Sequence, residues 1–360
     1  MERGDIMYSS NFSPKCSFSF LLTIVLTLCM LLAGCSTSIS LGGNTGSSGP
    51  MGSGVQGVKV YVEPDSGDGF LTDAIRGAQK SVWLEMYLLS DRNIIRALEE
   101  TAHRGIDVRV MLEPHPFGGG TSPRRTMDEL SASGAKTEDS SSSFKLTHEK
   151  GMIIDGTAAY IMTSNFTRSA LGGYSGGSGT RNREYDIVDT NSQDVQAIIN
   201  IFNADWNRSN VSVNDSNLVV SPDNSRSDLT SLINNAHKSL LVTGEEMNDS
   251  GIENALASAA KRGVKVQVIL PAPSGSSSDS NRPGIDQITA SGVQVKEDHQ
   301  LYMHAKIIIA DGQLAFVGSE NISTQSLDQN RELGILVSDP TVLSTLQQTF
   351  QQDWGISESV

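Results

Sequence analysis

HEKGMIIDGTAAYIMTSN at His148–Asn165 and HAKIIIADGQLAFVGSEN at His304–Asn321 are two versions of one pattern. Each opens His-x-Lys, sets an Asp seven residues beyond its His and closes on an Asn seventeen residues beyond it. Further on, the tripeptide Asn-Arg-Glu occurs at Asn182–Glu184 and again at Asn330–Glu332. A lone His-x-Lys-x4-Asp is within reach of chance; two, each with Asn at the same distance and the same tripeptide after it, are not. A buried structural motif seldom spends a His and a Lys on one strand face, because burying charge is costly. Nucleophile, cation and amide, each supplied twice, are what transfer at a phosphodiester requires, so the chain is expected to be an enzyme.

In each copy the Lys leads into an apolar run, Lys150–Ile154 and Lys306–Ala310, that reads as a strand. Residues i and i+2 of a strand share a face, so imidazole and ammonium can meet one phosphate. Asp155-Gly156 and Asp311-Gly312 read as tight hairpin turns, a sufficient structural role for the two Asp beside a chemical one. The returning strands end in Met162-Thr163-Ser164-Asn165 and Gly318-Ser319-Glu320-Asn321, which brings a hydroxyl and an amide back beside each His.

The duplication extends far beyond these stretches. At an offset of 158, Pro64-Asp65 meets Pro222-Asp223, Lys80-Ser81 meets Lys238-Ser239, and Arg104-Gly105 meets Arg262-Gly263. Val108-x-Val110-x-Leu112 meets Val266-x-Val268-x-Leu270 at the same offset. The offset falls to 156 at the His motifs and to 148 at Asn-Arg-Glu, where Phe202-x3-Trp206 meets Phe350-x3-Trp354. Two lobes, 58–215 and 216–360, therefore share one plan. Each alternates strand-like runs (Val58–Val62, Ser81–Leu88, Ile106–Leu112) with helices. Ile94, Leu98 and Ala102 recur every four residues between an Asp91 N-cap and a Gly105 stop, and Ile252, Leu256, Ala260 and Gly263 repeat this. The closing stripes Val195, Ile198, Ile199, Phe202, Trp206 and Val342, Leu346, Phe350, Trp354 have helical spacing and read as core. The expected class is α/β, two homologous lobes, each a mostly parallel mixed sheet flanked by helices.

Residues 1–34 read as an address. Phe18–Leu32 is mostly apolar, short for a membrane span, and runs into Leu32-Ala33-Gly34-Cys35, which resembles a bacterial lipobox with Cys35 as the lipidated residue. A start at Met7 gives a more ordinary leader, and an uncleaved anchor is the alternative reading. Residues 35–57, rich in Ser and Gly, read as a tether. The expected location is extracytoplasmic, lipid-anchored in a bacterial envelope. Cys16 and Cys29 lie in the leader, so the body carries no disulfide and no cysteine zinc site. The formal net charge of −14 gives no global attraction for polyanions, although a local basic cleft can coexist with it.

These residues resemble the phospholipase D superfamily, whose signature is His-x-Lys-x4-Asp-x6-Gly-Ser-x-Asn. The second copy matches at His304, Lys306, Asp311, Gly318, Ser319 and Asn321; the first has Met162 and Thr163 at the Gly and Ser positions. The resemblance implies two lobes meeting at one active site, a self-sufficient monomer, and chemistry that needs no metal and no cofactor. It further implies that one His attacks phosphorus while the other protonates the leaving oxygen and then activates water or an alcohol. The residues alone do not distinguish the two; the family's order implies His148 as nucleophile and His304 as acid/base. Lys150, Lys306, Asn165 and Asn321 would stabilise the non-bridging oxygens, with Thr163 and Ser319 as phosphate-binding support. Glu184 and Glu332 would orient the imidazoles.

Arg183 and Arg331 could meet phosphate or be held by neighbouring acids, and His115 and His299 are weaker cleft candidates. Gly118–Gly120 is too short for a phosphate loop, and Leu171–Thr180 is a Gly-rich loop that could border the cleft. Three readings follow: a phospholipase D or phosphatidyltransferase, including cardiolipin synthase-like transfer to a phospholipid; a metal-independent extracytoplasmic nuclease; and a non-catalytic envelope binding protein. No motif His or Lys is missing, which disfavours the third. The scattered bases, with Arg124-Arg125 and Lys261-Arg262 the adjacent pairs, disfavour the second.

Overall fold

Asp155 and Gly156 take left-handed backbone (φ 55° and 68°), as do Asp311 and Gly312 (φ 55° and 67°), so each signature stretch folds as the expected tight hairpin, its turn lying between the paired Ile154 and Ala158 or Ala310 and Leu314. The computed structural model describes residues 51–117, 123–172, 180–273 and 279–360. The leader, Cys35, most of the 35–57 tether, Gly118–Gly120 and most of Leu171–Thr180 lie outside the described residues.

Lobe 1 runs β1 (Lys59–Glu63), α1 (Gly69–Gly77), β2 (Ser81–Met86), α2 (Arg92–His103), β3 (Asp107–Leu112), α3 (Pro123–Ala132), β4 (Lys136–Asp139), β5 (Lys150–Ile154), β6 (Ala158–Met162), β7 (Asn182–Asp189) and α4 (Ser192–Trp206). Lobe 2 begins β8 (Leu218–Ser221), α5 (Ser225–Asn234), β9 (Ser239–Thr243), β10 (Met247–Asn248), α6 (Ser250–Lys261), β11 (Lys265–Pro271), α7 (Arg282–Thr289) and β12 (Gln294–Asp298). It continues through β13 (Tyr302–Met303), β14 (Ile307–Ala310), β15 (Leu314–Gly318), β16 (Ile322–Ser323), α8 (Thr324–Asp328), β17 (Glu332–Val337), α9 (Pro340–Ile356) and β18 (Glu358–Ser359).

The strand orders are β1-β7-β6-β5-β2-β3-β4 and β18-β12-β11-β9-β14-β15-β17-β8, one sheet per lobe. The two-lobe α/β plan is the one expected, but the sheets are not mostly parallel. Within the two sheets β2-β3-β4 and β9-β11-β12 run parallel, as does β13 against β7; the other neighbours are antiparallel. The Asp-Gly hairpins reverse the chain at the points where a helical crossover would be needed to keep it parallel.

Asp91 caps α2 by accepting from the backbone N–H groups of Asn93 and Ile94, and Gly105 (φ 82°) ends that segment as expected. Helices α1, α2 and α3 cover the outer face of the first sheet through Ile75, Leu98 and Leu130, and α5, α6 and α7 cover the second through Leu232, Leu256 and Ile288. The central core joins inward side chains of both sheets (Ile153, Ile187; Ile307, Ile335) with the stripes of α4 and α9. Each fully buried Ile or Phe there contributes about 1.5–3 kcal/mol, so this layer fixes how the lobes meet. The end of the tether departs from expectation. Gly52 N donates to Ser216 O, Val55 N donates to Leu336 O, and Val55 is buried in the central core, so residues 51–57 dock against lobe 2.

Candidate active site

Each His reaches the site on a segment that crosses to the other lobe. Strand β13 adds to the first lobe's sheet in parallel with β7, Tyr302 opposite Asn182 and Met303 opposite Arg183. The next residue, His304, therefore arrives beside Glu184. In the mirrored crossing Thr147 pairs in parallel with Arg331, and His148 N donates to Arg331 O at 2.9 Å, so His148 arrives beside Glu332. His148 Nδ1 lies 2.9 Å from Glu332 Oε2, and His304 Nδ1 lies 2.7 Å from Glu184 Oε1. Each carboxylate thus serves the histidine of the opposite lobe.

Both carboxylates are wholly buried and held from several sides. Glu332 Oε2 accepts from Ser319 Oγ (2.7 Å), while its Oε1 accepts from Ser326 Oγ (2.6 Å) and Asn330 Nδ2 (3.1 Å). Glu184 accepts from Thr163 Oγ1 (2.7 Å) and Asn182 Nδ2 (3.0 Å). This corrects the role expected for Thr163 and Ser319. Each hydroxyl donates to a carboxylate and accepts a backbone N–H, from Tyr185 and Leu333 respectively, so its bonds hold the glutamate in place of a phosphate. It also explains the repeated tripeptide: its Asn orients the Glu and its Arg anchors the strand.

Burial pushes the His148 imidazole below its ordinary value and so favours its neutral form, against the opposing pull of Glu332. Burial acts the other way on Glu332, but His148 and Lys150 outweigh it and hold that carboxyl below the usual range. Lys150 is buried and pushed down to about 7 by desolvation; its Nζ donates to His148 O at 2.6 Å. Lys306 Nζ donates to His304 O (2.5 Å) and to Glu245 Oε2 (2.9 Å). Asn165 Oδ1 and Asn321 Oδ1 are buried without a partner. These are acceptor atoms, so a phosphate oxygen would meet the Nδ2 donor of each amide instead.

Asp155 and Asp311 are not brought to the site. They lie at the far end of the hairpin strand, about 17 Å from its Lys at ~3.3 Å per residue. Asp155 accepts the backbone N–H groups of Gln79, Lys80 and Ser81, and Asp311 those of His237, Lys238 and Ser239. They tie each hairpin to the strand beside it, so their place among the catalytic candidates falls. Arg183 and Arg331 do not face the phosphate site either: Arg183 forms a bidentate pair with Asp353, and Arg331 Nε lies 2.9 Å from Asp205 Oδ2. Both acids sit on the closing helices, not next to the arginines in sequence. His299 is half exposed near Glu358. Among the described residues, Glu85, Glu149 and Asp205 place carboxylate oxygens within 4.8 Å of one another, a spacing that could share a cation, and Arg331 already brings positive charge to Asp205.

Three site residues escaped the sequence reading. Tyr87 sets its ring edge against His148 (centroids 4.7 Å apart), Tyr302 lies 6.3 Å from His304, and Glu245 Oε2 stands 3.4 Å from His304 Nε2. A signal existed for two of them: the 158 offset pairs Glu245 with Tyr87, a break in the repeat.

A profile of the family described as "Cardiolipin synthase, PLD-like domain" matches residues 71–206 and 229–354, and the chain belongs to that family, within the phospholipase D superfamily. The chain is 30% identical over 132 residues to the probable cardiolipin synthase YwiE of Bacillus subtilis, covering 36% of this chain and 26% of that protein. It is 22% identical over 349 residues to a cardiolipin synthase of Clostridium perfringens, covering 84% and 71%. The phosphatidylserine synthase of Haemophilus influenzae has the same fold, with a TM-score of 0.62 at 13% identity over 84% of this chain and 87% of that one.

Proposed function

We propose that this chain is a phospholipase D-type phosphodiesterase or phosphatidyltransferase that acts on a phospholipid through a phosphohistidine intermediate. The observation that carries the reading is the crossed pairing of His148 with Glu332 and His304 with Glu184. It sets both Nδ1 atoms as donors and leaves both Nε2 atoms for chemistry. In the first half-reaction His148 Nε2 attacks phosphorus, the bond to the leaving alcohol breaks, and that oxygen takes the proton of His304 Nε2. In the second, water or another alcohol returns a proton to His304, attacks phosphorus and frees His148. Lys150, Lys306, Asn165 and Asn321 hold the non-bridging oxygens, where fixed donors in a dry cleft act most strongly. The names of the relatives and the acidic net charge of −14 support a phospholipid over a nucleic acid.

Lipidation of Cys35 would hold this cleft at an extracytoplasmic membrane surface and raise the effective concentration of its substrate. Cys35→Ala is then expected to release the chain from membranes while sparing turnover of a soluble diester; retention would point to an uncleaved leader. The reaction itself is tested by incubating the full chain with mixed phospholipid vesicles and ethanol, without added metal. Phosphatidylethanol is expected from the wild type and not from His304→Ala. Its absence from a folded sample would overturn the reading and make single-stranded DNA the next substrate to offer.

A further inference from the structure

Strands β2 and β9 are equivalent in the repeat, and the residues that follow them differ in kind: Tyr87 in lobe 1, Glu245 in lobe 2. Tyr87 presents a neutral ring to His148, and its hydroxyl accepts Phe117 N. Glu245 instead puts a carboxylate into the site, its side chain about 20% exposed. Oε2 accepts from Lys306 Nζ at 2.9 Å and stands 3.4 Å from His304 Nε2, while Oε1 accepts from Tyr302 Oη at 3.0 Å. Burial opposes this charge, but His304 and Lys306 outweigh it and hold the carboxyl well below the usual range.

The Glu245 carboxylate thus stands against Lys306 and His304 where the reaction needs an oxygen of the phosphate. A diester that binds must take Lys306 from it, which leaves two anions side by side in a largely desolvated cleft. Like charges at such spacing repel strongly there, unless the substrate brings a cation of its own. Resting on the phospholipid reading above, we propose that Glu245 is a specificity-determining carboxylate. It selects phosphodiesters whose alcohol, on the His304 side of phosphorus, carries an ammonium group. An ammonium two carbons from the oxygen that His304 protonates lies within reach of Oε2 once Lys306 has turned to the phosphate. The ring of Tyr302, fixed by its bond to Oε1, supplies the π face that an alkylammonium favours. The net effect is a zwitterionic headgroup matched by a lysine and a glutamate, one charge each.

The test compares the full chain with Glu245→Gln and with Glu245→Tyr, which restores the lobe 1 residue. Substrates are dihexanoyl phosphatidylethanolamine, dihexanoyl phosphatidylglycerol and bis(p-nitrophenyl) phosphate. Wild type is expected to favour the ethanolamine lipid by about tenfold or more in kcat/KM, the scale of one charge-assisted contact. Both variants are expected to lose that preference, with Glu245→Gln gaining on the glycerol lipid as repulsion is relieved. Equal ratios in wild type and variants would overturn the inference and leave the phospholipid reading standing. Loss of all three substrates in both variants would also overturn it, by making Glu245 a general catalytic requirement. Turnover of the nitrophenyl diester with neither lipid cleaved would overturn the phospholipid reading, and the headgroup inference with it.

Discussion

Exchanging Glu332 for Gln removes one charge at nearly constant volume from the point where lobe 2 controls the histidine of lobe 1. The carboxylate accepts from four donors, His148 Nδ1 and Ser319 on one oxygen, Ser326 and Asn330 on the other. A carboxamide has one acceptor oxygen, so two of these contacts meet an N–H whichever way it turns. Hydrogen bonds to a charged group are worth about 1.5–3 kcal/mol each. Where the N–H faces His148 and Ser319, the lost His148 contact, which in the proposed mechanism stabilises the imidazolium character that develops as Nε2 attacks, is worth about 10- to 150-fold in kcat/KM. The other lost contact should appear as about 1.5–3 kcal/mol of stability. Turnover of bis(p-nitrophenyl) phosphate reads the first quantity and urea unfolding the second. The decisive measurement is the cycle with His148→Asn. Because the two residues act as one unit, the double variant should be no slower than the worse single one. Additive costs, or Glu332→Gln within about threefold of wild type, would refute the cross-lobe assignment.

Asp155→Asn should cost about 1–3 kcal/mol in urea unfolding, from weakened bonds to Gln79, Lys80 and Ser81, and change kcat/KM by less than about threefold. The pKa of Asp155 is lowered by those bonds against its partial burial, so this stability is present above the unfolded value near 3.9 and lost as pH falls through the lower folded one. Ser319→Ala should lower kcat about 10- to 100-fold at little cost in KM, because the hydroxyl positions Glu332; a raised KM with unchanged kcat would restore it to the phosphate. With Lys150 pushed down to about 7, kcat/KM should decline as pH rises through that value, and Lys150→Arg should remove this alkaline limb. The same depression means the unfolded chain binds more protons between about pH 7 and the unfolded lysine value near 10.4, so the Lys150 contribution to stability improves across that window.

The lobes, the hairpins and the four His and Lys residues were legible because each rests on local pattern: a period, a turn dipeptide, a motif copied twice. The mostly parallel sheet was misjudged because alternating strands and helices suggested crossovers, while two of the connections in each lobe are hairpins or direct returns. Thr163 and Ser319 were assigned to phosphate because the sequence places them near His but not which way their hydroxyls point. That direction is set by Glu184 and Glu332, which lie a strand away and which the sequence offers to the imidazoles without showing that each serves the opposite lobe. The partners of Arg183 and Arg331 were illegible for a similar reason. Asp353 and Asp205 lie 170 and 126 residues away, and nothing local marks them as anchors.

Symmetry explains why neither lobe carries a working half of the site alone. The segment before each His pairs with the strand that carries the other lobe's Asn-Arg-Glu, so a histidine gains its orienting carboxylate only when the lobes are joined. A pair related in this way would give two imidazoles with the same tautomer and the same environment, while the proposed transfer needs one nucleophile and one acid. The difference must therefore come from residues that break the repeat. The structure supplies it beside the histidines themselves, with an aromatic ring at His148 and a carboxylate at His304. His148, whose burial favours the neutral imidazole, suits the attack on phosphorus proposed for it. His304 has Glu184 2.7 Å from Nδ1 and Glu245 3.4 Å from Nε2, a setting that suits the acid role proposed for it. The duplication builds the frame, and the exchange of Tyr87 for Glu245 makes the surroundings of the two histidines unlike.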